Sequence, residues 1–422
     1  MVHHLGGAAQ LGMLTVEENE QLTQIGPGTP MGEVMRCYWW PVAFSKEVPV
    51  GHTKAVKLLG QNFVIYRDQS GGLSMVDEKC PHRGVSMLYG VVEDCGLRCA
   101  YHGWLFDQTG ACLEQPAEHG ASTFKDRVRI GAYPVEEMGG LLWTYIGKAP
   151  VPELTRFDVY VMEGIRDASW AVLPCNFLQI MENSVDPYHV EWLHGYYFQY
   201  LANREGFEAP TFLAKKHKAV AFDEIEFGIL KRRLYEGQSE EADDWKIGHP
   251  LVFPYGMRVG GAGINQMQIR VPLDDTHTWV CFYSTHRPSE DSPVEGPHDV
   301  CTYELPWQHA DGRIVTDYVE GQDIMAWVTQ GPVADRSVEH IGKSDLGAVK
   351  VRRMYKEQLA RVSKGEDPIG VVRYKHDRID LPCEKDKHGA GADFALGWMK
   401  GGSSKFSPIL DRLIQIYLDA RK

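Results

Sequence analysis

The chain has 422 residues of ordinary globular composition, 43% hydrophobic and 24% charged, enough for two or three domains and a large core. A net charge of -13 excludes a general affinity for nucleic acid or anionic membrane, and no run nears the roughly 18 apolar residues of a membrane span. Nine cysteines in no framework, and an opening MVHHLGGAAQLGML without the basic and apolar regions of a secretory signal, predict a cytoplasmic protein with free thiols.

Thr15 and Glu18 form a capping box that opens a short helix, TVEENEQLTQ. From about residue 38 short β-like runs follow: KAVKLLG, NFVIYRD, LSMVDEKC, LRCAYHGWLF, ACLEQP and GLLWTYIG. DQSGG and DQTGA read as hairpin turns between them, and the proline-bearing KAPVPEL, 148 to 154, as a linker. The boundaries this gives are an N-terminal helical segment over 1–37, an all-β domain over 38–150 and a larger domain over 151–422. In the last, NFLQIMENSVDPYHVEWLHG predicts a helix capped by Gly195, and residues 211–285 alternate as antiparallel strands, clearest in MQIRVPL and TWVCFYSTH. EGQDIMAWVTQG predicts a short helix, Ser344 caps a longer one, and FSPILDRLIQIYLDARK closes the chain as another. The fold class is α+β.

Cys80-x-His82 and Cys99-x-x-His102 give two short loops, each presenting one thiolate and one imidazole. A Cys₂His₂ zinc site uses the same donors but groups both cysteines in one half and both histidines in the other. One of each per loop is what a Rieske [2Fe–2S] centre requires, two cysteines on one iron and two histidines on the other. Pro81, Gly84 and Gly103 supply tight turns, and Tyr101 and Trp104 are placed to wall the site from water. Downstream, ENSVDPYHVEWLHG holds Asn183, Asp186, His189 and His194. Residues five apart point about 140° from one another on an ideal helix, so the two histidines share a face only if the helix is distorted, as Pro187 suggests.

The paired loops resemble those of Rieske non-haem iron oxygenases, and NxxDxxHxxxxH in the second half matches that family's pattern at Asn183, Asp186, His189 and His194. The resemblance implies a helix-grip-like catalytic domain, an antiparallel sheet curved around a helix, behind the Rieske domain. It also implies a mononuclear Fe(II) held by His189, His194 and a downstream carboxylate, leaving positions open for O₂. Asp317, Asp323 and Asp335 are candidates; EGQDIMAWVTQGP resembles the family's iron-binding helix and points to Asp323, with Asp335 second. Asp186 is implied to bridge His189 to a Rieske histidine of a neighbouring subunit in a trimer or hexamer; Asn183 reads as a polar neighbour of the iron or as a residue with a helix N-terminal role.

MLTVEENE, DEKCPHRG, LRCAYHGW and QDIMAWVTQGP look most like the phthalate dioxygenase branch, which includes O-demethylases of lignin-derived methoxy-aromatic acids. HPLVFPYG favours O-demethylation, with ring dihydroxylation of a phthalate-like acid as the alternative and a Rieske electron carrier without mononuclear iron as a further rival. A cation for the substrate carboxylate is sought at Arg232 and Arg233, neighbours on a strand of which at most one points inward. GGAG at 260–263 opens no helix and is no Rossmann fingerprint, so electrons are expected from a separate NAD(P)H-dependent reductase or ferredoxin. KGGSSK reads as a flexible turn, and Cys95, Cys112 and Cys175 as buried small apolar residues.

Overall fold

The computed structural model describes residues 13–119 and 122–421; the opening stretch read above for a secretory signal lies, for residues 1–12, outside them. The predicted capping box forms, with Thr15 Oγ1 accepting from Glu18 N–H at 3.2 Å and Glu18 Oε2 from Thr15 N–H at 2.9 Å. It opens the Val16–Thr23 helix, which with Pro30–Met35 packs on the long helix Leu346–Ser363.

Three small antiparallel sheets follow. Trp39–Phe44 pairs with Leu141–Tyr145, which pairs with Val135–Met138. The other two sheets have four strands each, and their facing residues bury Val64, Tyr66, Leu97 and Phe106 around Cys80 and Cys99. The predicted strand LRCAYHGWLF is two strands, Gly96–Arg98 and Leu105–Phe106, separated by the loop that carries Cys99 and His102. Both predicted hairpin turns form, each closed by an Asp main chain: Asp68 with Gly72 and Asp107 with Ala111. Trp39–Phe44, Val91–Glu93, Ala132–Tyr133 and Val135–Met138 are strands that the sequence reading left as coil.

The second half is built on an eight-stranded sheet in the spatial order 217–225, 228–235, 249–252, 256–261, 264–274, 277–286, 165–173, 301–304. It is antiparallel throughout except at one edge, where Ile165–Leu173 pairs in parallel with Cys301–Glu304. The helix Phe177–Val185 crosses it. Asn176 caps this helix, accepting from Leu178 N–H at 3.0 Å while its amide donates to Thr23 and Asp275 carbonyls at 2.9 and 2.7 Å. Glu182, on the same helix, is gripped by two buried arginines, Arg336 at 2.7 Å and Arg352 at 2.6 Å. The helix is therefore fixed in place just before Asp186, where Pro187 ends it.

The structure corrects three readings here and adds one helix. The helical segment does not stop at Gly195 but continues as a π-helix, Val190–Tyr197, into Phe198–Glu205, and its left-handed cap is Gly206 at φ 79°. Gly195 is glycine for another reason: a Cβ there would sit 2.6 Å from Ala214 Cα. Ser344 does not cap the long helix, because a 3₁₀ turn over Lys343–Asp345 precedes it and Asp345 takes the cap position. KGGSSK is no flexible turn, since Ser403 and Ser404 are buried and Ser403 donates through both N–H (2.6 Å) and Oγ (2.9 Å) to the buried Glu320. The preceding helix Ala392–Gly401 also escaped the sequence reading.

Candidate metal centres

The two Cys/His loops are near copies of each other. In the first, Gly84 N–H donates to the Cys80 carbonyl and Cys80 N–H to that of Val85, both at 2.9 Å; in the second, Gly103 N–H reaches the Cys99 carbonyl at 3.0 Å and Cys99 N–H that of Trp104 at 2.8 Å. Both glycines take the left-handed conformation, φ 74° and 71°, that side chains resist. Cys80 and Cys99 are buried, while His82 and His102 stand at the outer end with rings 4.5 Å apart. Trp104 stacks on His82 at 4.2 Å and 6°, whereas Tyr101, beside His102, is 55% exposed, so of the two predicted wall residues only Trp104 is buried.

Burial pushes the Cys80 thiol up to about 11, with Cys99 adding to the effect, so a thiolate here needs bound positive charge. One tetrahedral ion needs its four donors within about 4 Å of one another. Among the described residues, one group of three or more His, Cys, Asp or Glu has all its donor atoms within 4.8 Å, and these four residues are not it. Two cysteines at the buried end and two histidines at the outer end suit the two irons of a cluster.

That group is His189, His194 and Asp323. The distortion that brings the histidines together is the π-helix, whose i→i+5 hydrogen bonds set residues five apart above one another. Their rings lie 5.2 Å apart at 79°, and their Nε2 atoms are 3.6 Å (His189) and 3.1 Å (His194) from Asp323 Oδ1. Asp323 comes from the helix Val319–Val328. Burial raises its pKa, but His194 and His189 outweigh that and hold it below the usual value; His194 is in turn raised by Asp323 against its own burial. Lone pairs from two imidazoles and a carboxylate, converging out of water, favour a cation.

Models of the Rieske [2Fe-2S] domain and of a "LigXa C-terminal domain like" family match residues 38–125 and 315–384. The 5,5'-dehydrodivanillate O-demethylase oxygenase subunit of Sphingobium sp. SYK-6 is 40% identical over 366 residues, 86% of this chain and 84% of that one. This chain belongs to the Rieske non-haem iron oxygenases. The phthalate 4,5-dioxygenase oxygenase subunit of Pseudomonas putida is 32% identical over 85% of this oxygenase and 89% of itself. In fold, the terminal oxygenase of carbazole 1,9a-dioxygenase from Novosphingobium sp. KA1 superposes with a TM-score of 0.57 at 19% identity, over 84% of this chain and 99% of that one. The oxygenase is thus an oxidoreductase of a family that carries a Rieske cluster and a mononuclear iron, and both donor sets fit those groups.

The remaining predicted residues divide. Asp186 is the cap of the Phe177–Val185 helix; its Oδ1 accepts from Tyr188 N–H at 2.8 Å, and its Oδ2 lies 3.5 Å from His189 Nδ1. Burial raises its pKa, but His189, the Tyr188 N–H and Lys231 together bring it below the usual value. Asn183 lines an open cavity with Asp186. Asp335 is exposed and spent on Ser337, and Asp317 is paired with Lys405, so neither joins the histidines. Arg233 points inward and Arg232 outward to Asp223, but Arg233 is paired with Asp244 and Glu384. Cys112 and Cys175 are buried; Cys95 is exposed, contrary to expectation.

Gln322 was missed. Its Oε1 accepts from His194 Nδ1 at 2.9 Å and its amide donates to the Thr316 carbonyl at 3.0 Å. This fixes the His194 tautomer and aims Nε2 at Asp323. Its place beside Asp323 in EGQDIMAW was the available signal, but neighbours on a helix point about 100° apart, and only the length of the glutamine side chain brings it round.

Proposed function

We propose that this oxygenase O-demethylates a methoxylated aromatic acid of the lignin-derived, biaryl kind. The observation that carries the reading is 40% identity, over 86% of the chain, to a subunit named for such a reaction. One atom of O₂ is inserted into a methyl C–H bond, and the hemiacetal collapses to a phenol and formaldehyde. The other atom leaves as water, at the cost of a pair of electrons and a pair of protons.

In this reading Cys80 and Cys99 hold one iron of the cluster and His82 and His102 the other, while His189, His194 and Asp323 hold the mononuclear iron. That iron, when bound, supplies O₂ activation; the chain's part is to fix the histidines and keep the site dry. Asp186 links His189 to the cluster histidine of a neighbouring subunit, with Asn183 beside it, in a homotrimer or a hexamer. Electrons come from a separate NAD(P)H-dependent reductase or a ferredoxin, in the cytoplasm. The N-terminal segment is 1–37, the Rieske domain 38–150 and the catalytic domain 151–422. What supports the residue roles is the twin geometry of the loops and the convergence of His189, His194 and Asp323 within 4.8 Å.

The test is turnover of methoxybenzoates and methoxylated biaryl acids with a reductase, together with iron quantification and an EPR spectrum of the reduced protein. Equimolar phenol and formaldehyde are expected. A cis-dihydrodiol without formaldehyde would instead establish ring dihydroxylation, the reading to which the 32% identity to a phthalate 4,5-dioxygenase subunit lends support.

A further inference from the structure

Lys231 and Arg270 are cations in the interior, 3% and 2% exposed, and neither has a carboxylate within 4.0 Å among the described residues. Lys231 stands on the strand Gly228–Tyr235 and donates to one acceptor, the Ser184 carbonyl, at 2.8 Å, though an ammonium carries three N–H groups. Arg270 stands on Ile264–Asp274 and donates to the Ser184 hydroxyl at 2.9 Å, to Gln268 Oε1 at 2.7 Å and to the Gln268 carbonyl. Two strands not adjacent in the sheet thus send their buried cations to one residue, which lies just before Asp186 and His189 on the helix that leads into the π-turn.

Every one of these partners is a neutral dipole. Other buried arginines have acids: Arg258 has Asp158, Arg233 has Asp244 and Glu384, and Arg336 has Glu182. Arg166 shares the lack, donating to the Met162 and Gly296 carbonyls, but it does not reach the helix that leads to His189. Burying unpaired charge is costly, and the cost shows: burial lowers the pKa of Lys231 well below normal and that of Arg270 to about 9. Asp186 and Glu384 pull on Lys231 and Asp323 on Arg270, but from beyond ion-pair distance. A metal cation at Asp323 would share that carboxylate and leave Arg270 still shorter of negative charge. Arg270 is held ready by an amide ladder, Gln268 to Gln266 at 3.1 Å and Gln266 to Ser284 at 3.1 Å, which rigidifies it without neutralising it.

We infer that Lys231 and Arg270 form the anion subsite of this oxygenase, which receives the carboxylate of its aromatic acid and so decides that acids, rather than neutral methoxyarenes, are bound. This rests on the aromatic-acid reading above. The missing counter-charge is then the substrate's own, and entry of a carboxylate converts two costly unpaired cations into charge-assisted hydrogen bonds.

The test is calorimetric binding of 5,5'-dehydrodivanillate, the biaryl diacid named for the Sphingobium relative, and of its dimethyl ester, to the iron-loaded protein. Formaldehyde release from both is measured in parallel. Wild type should bind the diacid about tenfold to a hundredfold more tightly than the ester. Lys231→Met and Arg270→Met should each remove most of that preference by weakening the acid and not the ester, and Arg270→Lys should keep part of it. Continued binding of the ester shows that a variant is folded. Wild type that does not prefer the acid, or variants that prefer it as wild type does, overturn the subsite. A preference lost in the variants, with no formaldehyde from either compound, upholds the subsite and refutes demethylation.

Discussion

Replacing Gln322 with leucine should loosen the oxygenase's hold on mononuclear iron while leaving the cluster untouched. Gln322 binds His194 Nδ1 at 2.9 Å and the Thr316 carbonyl at 3.0 Å, and His194 is 3% exposed. Leucine fills much the same volume but leaves the imidazole N–H and the carbonyl without partners and out of reach of water, at about 1–3 kcal/mol for each orphaned group. Some of that falls equally on the iron-free and iron-bound protein. The share that falls on binding is the loss of ring orientation and of the tautomer that frees Nε2, and outer partners of metal-bound histidines are typically worth about 10–100-fold in affinity. The Fe(II) dissociation constant, measured anaerobically by chelator competition, should rise by that factor, with cluster absorbance as the control for folding. Gln322→Glu retains the acceptor and loses the donor to Thr316, so it should recover part of the loss. Wild-type Fe(II) affinity in Gln322→Leu, with the cluster spectrum intact, would refute the reasoning.

Asp323→Ala should lose the mononuclear iron and all turnover while its reduced EPR spectrum keeps the cluster signal; retained mononuclear iron would rule Asp323 out as a ligand. Glu182→Gln removes the carboxylate that Arg336 and Arg352 share on the helix leading to His189, and breaking a buried ion network of this kind costs about 3–5 kcal/mol, read as a lower unfolding midpoint. Burial, opposed by Glu191, lowers the pKa of His217 to about 4, and burial holds His249 and His388 well below normal. The folded protein keeps these rings neutral while the unfolded chain protonates them near pH 6.5, so their contribution is present above that pH and is lost as the pH falls towards 4. His217 alone accounts for about 3 kcal/mol of that loss, and denaturation midpoints at pH 5 and 7.5 should converge in His217→Gln relative to wild type.

Much of the fold was legible because it rests on local rules. The capping box at Thr15, the Asp-led hairpins and the long alternating strands over 264–274 and 277–286 each carry their signal within a few residues. What failed was set from a distance. Gly195 looks like a helix stop, but its missing side chain answers to the Ala214 backbone pressing against it, and the chain runs on. The GGSS of KGGSSK has the composition of a loose loop, yet Ser403 is drawn inside by Glu320, a partner more than eighty positions away that no local window contains. Short strands such as Ala132–Tyr133 hold together through neighbours, and nothing in two residues announces them.

At the site, spacing served where chemistry fixes it and orientation had to come from the fold. Cys80, His82, Cys99 and His102 declare themselves because each of two short loops carries one cysteine and one histidine at close spacing, and the fold gives both loops the same hydrogen-bonded turn. His189 and His194 declared themselves only conditionally, since their separation demanded a distortion that the sequence could name but not shape; the π-helix is that shape. The search for a substrate cation shows the same limit. Strand alternation allowed at most one of Arg232 and Arg233 to point inward; the fold turns Arg233 that way, and the same alternation puts Lys231 on the inner face with it. Sequence has no means of ranking the two, because the distinction between them is not direction but company. Arg233 finds Asp244 and Glu384 waiting, whereas Lys231 finds only a carbonyl. A charge already neutralised by its own protein has little to offer an anion. A buried one left with dipoles alone has its strongest interaction still to make, and here it stands against the helix that leads to His189.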